Sequence, residues 1–190
     1  KDILIKSKIK IKNEIIDSSK SLNRINTLDI YSTVNYPAGT NAAFDGFAIN
    51  SKETIKLNKK NIKEFKILKI ISAGDNPKLN KIKKFQTVEI MTGALIPSFF
   101  DTIIPIEKII FSKNRKYIQV NEKIKKNQHI RYVGSDYKKK DLIIKKGTII
   151  QPSHILAFKT LGINNIKVKK KPNILFFSTG NEISNNKNIV

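Results

Sequence analysis

Asn41-Ala42-Ala43-Phe44-Asp45-Gly46-Phe47-Ala48-Ile49 is the stretch on which the reading of this chain turns. In a sequence crowded with Lys, Ile and Asn, it carries no basic residue and sets small side chains around one carboxylate. Pro37, Gly39 and Gly46 flank that carboxylate, so the backbone can turn sharply and approach another group closely. Two readings of Asp45 follow from the segment alone: a turn residue leading into a strand, or a carboxylate held out toward a ligand. Phe47-Ala48-Ile49 then opens a series of short β-type runs at Phe65 to Ile71, Thr87 to Met91, Thr102 to Ile110 and Tyr117 to Val120. Turn signals separate them at Ala73-Gly74-Asp75-Asn76-Pro77, Lys113-Asn114 and Val133-Gly134, which suggests a compact β-sandwich or barrel-like domain.

The flanks read differently. Ile9, Ile15, Ile16 and Leu22 recur at loosely helical spacing, predicting an amphipathic helix over residues 3–22 that ends near Ser21. Leu28 to Val34 reads as extended. Beyond Gly147, the run Ile155, Leu156, Ala157, Phe158 and Leu161 predicts a helix, with Ser153 as N-cap and Gly162 as its stop. Ile166-Lys167-Val168 reads as a short extended piece. Ile174-Leu175-Phe176-Phe177, between Pro172 and Ser178-Thr179-Gly180, fits a strand buried on both faces of a parallel sheet. One such strand cannot make a sheet, so the chain is expected to stop just inside a further α/β domain. Its first residue is Lys1 rather than Met, which points to a start further upstream.

With 190 residues and 39% hydrophobic side chains, the chain can bury a real core. No apolar run reaches the roughly 18 residues of a membrane span, and no signal-peptide core precedes the first charges. Cysteine is absent, which excludes disulfides and thiolate metal sites and is compatible with a cytoplasmic protein. The formal charge of +22 invites a nucleic-acid partner. Against it, only Arg24, Arg115 and Arg131 among 37 basic residues are Arg, the better reader of phosphate and guanine. The lysines also spread along the whole chain beside inflated Ile and Asn, as a genome of low GC content would produce. The runs Lys138-Lys139-Lys140 and Lys169-Lys170-Lys171 read as solvated turns, and the net charge could still steer anionic substrates.

Among only 15 acidic residues, Asp45, Asp136 and Glu182 fall in turn-rich segments where carboxylates could coordinate Mg²⁺. Thr92, followed by Gly93, could offer its hydroxyl and neighbouring N–H groups to an anion, or simply close a strand. Asp136 could instead cap backbone N–H groups, and Glu182 could be a first-turn acid facing a helix dipole. Arg131 could ion-pair with Asp136 or contact a ligand phosphate. The turn Thr179-Gly180-Asn181-Glu182 would lie at the carboxyl end of a parallel strand, where open α/β sheets place ligands. His129 and His154 show no zinc-ligand spacing, and His154 reads as a structural helix residue. Neither a Walker A motif nor a dinucleotide fingerprint is present.

Four segments in fixed order carry a resemblance: Asn41 to Ala48, Ile90-Met91-Thr92-Gly93-Ala94-Leu95-Ile96-Pro97, Ile130-Arg131-Tyr132-Val133-Gly134-Ser135-Asp136, and Phe177-Ser178-Thr179-Gly180-Asn181-Glu182-Ile183. Together they resemble the N-terminal half of the molybdopterin molybdenumtransferases, the MoeA and gephyrin E-domain family. The resemblance implies an α+β fold in which a β-rich module, residues 45–136, is inserted into a split helical segment, residues 1–44 and 137–171. Residues 172–190 would then supply the first strand of an α/β molybdopterin-binding domain. It further implies that Asp45, Thr92, Asp136 and Glu182 line the active site and that Asp45 and Asp136 hold Mg²⁺. Gly93, Thr179, Gly180 and Asn181 would contact the bound pterin nucleotide. The implied activity is insertion of molybdenum from molybdate into adenylylated molybdopterin with release of AMP, by a homodimer whose sites are shared between subunits. Asn181 stands where the family often has Asp, while Phe44 and Phe47 replace the common Met and Tyr. Two other functions remain open to the sequence: an inactive binding scaffold of the same family, and a basic nucleic-acid-binding β module.

Overall fold

The computed structural model describes residues 10–175 and 177. Strands in chain order are β1 (Asn13–Asp17), β2 (Ile30–Tyr31), β3 (Asn41–Ala42), β4 (Gly46–Ile49), β5 (Lys63–Ile71) and β6 (Gln86–Ile90). They continue with β7 (Thr102–Pro105), β8 (Ile110–Phe111), β9 (Tyr117–Val120), β10 (Ile130–Arg131), β11 (Leu142–Ile144) and β12 (Asn165–Lys169). One α-helix, α1 (Pro152–Thr160), stands among the described residues. Two compact units result: Tyr31–Asp141, and the described residues of Lys1–Ile30 with Leu142–Val190.

The Tyr31–Asp141 unit is built on a curled six-stranded sheet of order β7-β4-β6-β5-β9-β8. All neighbours run antiparallel except the parallel pair β5 and β6. Side chains alternate between faces along a strand, and here both faces are covered. Phe47 and Ile49 enter one core with Phe65, Ile104, Ile118 and Val120, while Ala48 enters another with Val88, Ile90 and Ile103. That two-sided burial explains why Gly46-Phe47-Ala48-Ile49 reads as a continuous small and apolar run. Phe65 and Ile71 share parity yet serve different cores, because a register irregularity between Ile67 and Ile70 turns β5 over. Gly46 is required by sterics: a Cβ built there would lie 2.1 Å from the Ile104 carbonyl oxygen. Its partner across the pair is Pro105, tolerated because β7 is an edge strand.

In the other unit, β1 pairs antiparallel with β12, from Asn13↔Lys169 to Asp17↔Asn165. Ile166 and Val168 alternate inward onto Ile144, Ile150 and Phe158. The helix α1 starts after Gln151 rather than at Ser153: the His154 Nδ1 accepts the Gln151 N–H at 3.0 Å, a capping box that gives His154 a structural role. It stops at Gly162, whose φ of 70° suits glycine.

Three expectations need correction. The helix over residues 3–22 is absent from its described part, where β1 forms instead. Pairing of Ile16 with Ile166 and Glu14 with Val168 outweighs a weak helical period in β-branched residues. The single strand expected from Thr102 to Ile110 breaks at Ile106–Lys108 into a one-turn 3₁₀ helix. Pro105 cannot donate to the ladder, and the next N–H, from Ile106, goes to the Asp45 carbonyl at 3.0 Å. Ile174, Leu175 and Phe177 belong to no strand and are exposed, because no described strand offers them a hydrogen-bonding neighbour.

Gly46→Ala should lower stability by about 3 kcal/mol in urea unfolding, since backbone rather than a pliable side chain meets the new methyl. The comparison is Gly74→Ala, where no atom lies within 4 Å and only the φ of 93° resists. Equal losses for the two variants would contradict this packing.

Candidate functional site

Segment Thr40–Asp45 runs between two others. On one side the Gly93 N–H donates to the Ala42 carbonyl at 2.9 Å, the Ala42 N–H to Ala94 at 3.0 Å, and the Ile96 N–H to Thr40 at 3.1 Å. On the other side β3 pairs with β10, Arg131 opposite Asn41 and Ile130 opposite Ala42. The Ala43 N–H continues that ladder to the His129 carbonyl at 3.0 Å. Two segments far apart in sequence are thereby stitched to one short stretch of backbone, making three joined segments in all.

The side chains follow. Pairing of Gly46 with Ile90 sets Asp45 beside the turn after β6. Asp45 Oδ1 accepts the Thr92 N–H at 2.7 Å and the Thr92 hydroxyl at 2.6 Å. Its Oδ2 carries no hydrogen bond among the described residues, and the side chain is exposed. Gly93, at φ 82°, makes the turn that aims Thr92 back at the carboxylate. Two donors on one oxygen favour the ionised form, so the Thr92 hydroxyl, then its amide, hold Asp45 below the ordinary carboxylate range against a smaller desolvation effect.

Asp136 lies on the loop after β10. Its Oδ2 pairs with the Arg131 guanidinium and its Oδ1 accepts from the Ser135 hydroxyl at 3.1 Å. Arg131, more than any other group, keeps Asp136 below the usual carboxylate range. Its guanidinium also sits 5.7 Å from the Tyr36 ring centroid. Of the alternatives open for Arg131, the structure shows the ion pair.

Asp45 and Thr92 are therefore brought into direct contact. Asp136 is tied to the same neighbourhood through β3 and β10 but makes no hydrogen bond to either. The donors expected to face an anion are engaged within the protein: the Thr92 N–H and hydroxyl by Asp45, and the Gly93 N–H by Ala42. No group of three or more His, Asp or Glu able to hold a metal occurs among the described residues. Thr179, Gly180, Asn181 and Glu182 lie outside the described residues.

Sequence reasoning missed two features of this region. Phe44 meets His129 edge to face at 4.9 Å, a pairing of residues too distant in sequence to be seen in any local pattern. Asn41 Oδ1 is buried without a hydrogen-bond partner among the described residues, an open acceptor at the head of the segment. Phe44, Leu95, Tyr132 and Val133, all on the three stitched segments, are exposed.

A β-rich unit with one carboxylate held on a distant threonine turn defines a class of fold and site, and comparison with known proteins places it. The family model for the MoeA N-terminal region (domain I and II) matches residues 2–162. A molybdopterin molybdenumtransferase of Staphylococcus aureus strain Mu50 is 34% identical over 165 residues, covering 86% of this chain and 38% of that protein. Its namesake from Staphylococcus epidermidis is 31% identical over 180 residues, covering 95% of this chain and 42% of that protein. The crystal structure of a molybdopterin biosynthesis moeA protein from Pyrococcus horikoshii OT3 superposes with a TM-score of 0.78 at 27% identity, covering 85% of this chain and 42% of that one. The chain belongs to the MoeA family, in its N-terminal region. It spans about two fifths of the length of these relatives. No helix among the described residues is long and apolar enough to cross a membrane.

Thr92→Val keeps the shape and removes the hydroxyl, so the Asp45 pKa should rise toward the ordinary carboxylate range, read by carboxyl ¹³C NMR titration. Because the folded-state pKa values of Asp45 and Asp136 are depressed, their contribution to stability is present above the unfolded value and is lost as pH falls through the folded one. An Asp45 titration unchanged by Thr92→Val would refute the hydroxyl's role.

Proposed function

We propose that this chain is the N-terminal part of a molybdopterin molybdenumtransferase. The whole enzyme would transfer molybdenum from molybdate to the dithiolene of adenylylated molybdopterin and release AMP. The observation that carries this reading is the Asp45–Thr92 contact. Two of the four motifs, which the sequence separates by 47 positions, meet at one carboxylate whose outer oxygen is free. In this reading the Tyr31–Asp141 unit contains the inserted β-rich module assigned to residues 45–136. The flanking pieces, residues 1–44 and 137–171, form the split segment, which is not mainly helical as expected but carries β1–β3, β11, β12 and the single α-helix α1 among its described residues. Residues 172–190 open the α/β molybdopterin-binding domain with Thr179, Gly180, Asn181 and Glu182 at its ligand turn.

The donor set suits Mg²⁺ at Asp45 and less so at Asp136. Mg²⁺ takes one or two carboxylates plus substrate oxygens and water, and Asp45 Oδ2 is available in the manner this requires. Asp136 has both oxygens engaged, one by the cation of Arg131, so its part in this reading is to hold Arg131 in place. When bound, the metal would neutralise phosphate charge and polarise the phosphate linkage. The chain's own residues do the positioning: Thr92 fixes the rotamer and ionisation of Asp45 through its amide and hydroxyl. Because Phe44, Leu95, Tyr132 and Val133 on the three described segments are exposed, the reading includes a homodimer whose sites are completed across the subunit interface, in the cytoplasm. No part of this reading needs a nucleic acid or a membrane.

Asp45→Asn in the full-length protein keeps size and removes the charge. It should cut AMP release from adenylylated molybdopterin and molybdate by about 10²-fold while the circular dichroism spectrum is preserved. Unchanged turnover across a Mg²⁺ titration would return Asp45 to the role of a turn residue.

A further inference from the structure

At the far end of β4 from Asp45, the chain folds around a concavity that the reading above leaves without a role. It is a cavity of about 550 Å³ whose lining includes Lys52, Lys56, Lys63, Lys84, Glu53 and Phe85. That volume falls in the range of about 300–1,000 Å³ typical of small-molecule sites. Four lysines face one carboxylate, and the carboxylate is already engaged: Glu53 accepts the Phe85 N–H at 2.8 Å. The cavity is therefore strongly cationic, with an aromatic ring in its wall.

Its frame is built rather than incidental. The 3₁₀ turn Ser51–Thr54 that carries Lys52 and Glu53 is anchored by the Asp101 carboxylate, which accepts the Ser51 N–H at 2.7 Å and its hydroxyl at 2.9 Å. Thr54 locks the same turn, its hydroxyl donating to the Ser51 carbonyl at 2.8 Å and accepting the Ile124 N–H at 2.9 Å. Phe85 adopts a φ of 57°, a left-handed conformation that costs a bulky residue energy and persists only where the surroundings hold it. Three contacts do so: the Glu53 hydrogen bond, the Lys66 N–H on its carbonyl at 2.9 Å, and edge packing on buried Phe65 at 5.4 Å between ring centroids. The Lys63 ammonium lies 5.9 Å from the Phe85 ring centroid. A flat apolar group against Phe85 with phosphates among the lysines would satisfy both halves of this lining.

We infer that this cavity binds a small organic phosphate with a flat heterocycle, a nucleotide by class, independently of the Asp45 site. The test is fluorescence titration of the purified full chain with mant-ADP at near-physiological salt. Saturable binding is expected, weakened at least about tenfold by Lys52→Ala with Lys84→Ala and by no more than twofold by the control pair Lys145→Ala with Lys146→Ala. Circular dichroism confirms that both double variants fold. Unlabelled ADP should displace the probe at concentrations at which pyrophosphate does not. Absence of saturable binding, equal weakening by both pairs, or displacement as effective by pyrophosphate or by single-stranded DNA would each overturn the inference. Equal weakening would reduce the effect to net charge. Displacement by pyrophosphate or DNA would mark a general polyanion surface.

Discussion

The structure of the Tyr31–Asp141 unit depends on one close approach, that of the Gly46 backbone to the Ile104 carbonyl. No side chain fits between them. This places β4 in the sheet with β6 on one side and β7 on the other, and it determines where the preceding residue stands. Asp45 is then held at both ends: its carbonyl accepts the Ile106 N–H and its carboxylate accepts the two Thr92 donors. The position of the Asp45 carboxylate is therefore a consequence of strand packing.

Charge is arranged on two scales. Over the whole surface the lysines make a cationic field that attracts anions without selecting among them. Locally, the ionised states of Asp45 and Asp136 are kept by hydrogen bonds and by Arg131, so a lysine-rich protein retains two anionic points. One of these, Asp45, presents a free oxygen to solvent. The other is closed by its own ion pair. That asymmetry distinguishes the two carboxylates more sharply than composition could, because Coulomb and hydrogen-bond effects at this range depend on which atom faces which.

Much of this was legible in the chain. Phe47-Ala48-Ile49, Phe65 to Ile71, Thr87 to Met91 and Tyr117 to Val120 read correctly as strands because apolar runs bounded by Gly, Asn and Pro leave few other options. The motif spacing also pointed to the family. The sequence could not show the partner of each strand, and the errors follow from that. Residues 13–17 form a strand because β12 pairs with them, and the run from Thr102 breaks after Pro105, where the Ile106 amide is bonded to the Asp45 carbonyl. The Asp45–Thr92 bond was invisible for the same reason: both residues were named, but their meeting is a property of sheet register. The lysine cavity was hidden by composition, since four converging lysines look like any others in a chain that holds so many.

Amide hydrogen exchange tests the central claim, that segment Thr40–Asp45 and the segments flanking it form one cooperative unit with the sheet. The amides of Ala42, Ala43, Gly93 and Ile96 are each bonded across that stitching. They should open with the same free energy as the β4 and β6 amides of Ala48 and Val88, responding in parallel to added denaturant. Exchange of Ala42, Ala43, Gly93 and Ile96 as fast as that of the exposed turn at Gly74 and Asp75 would contradict it.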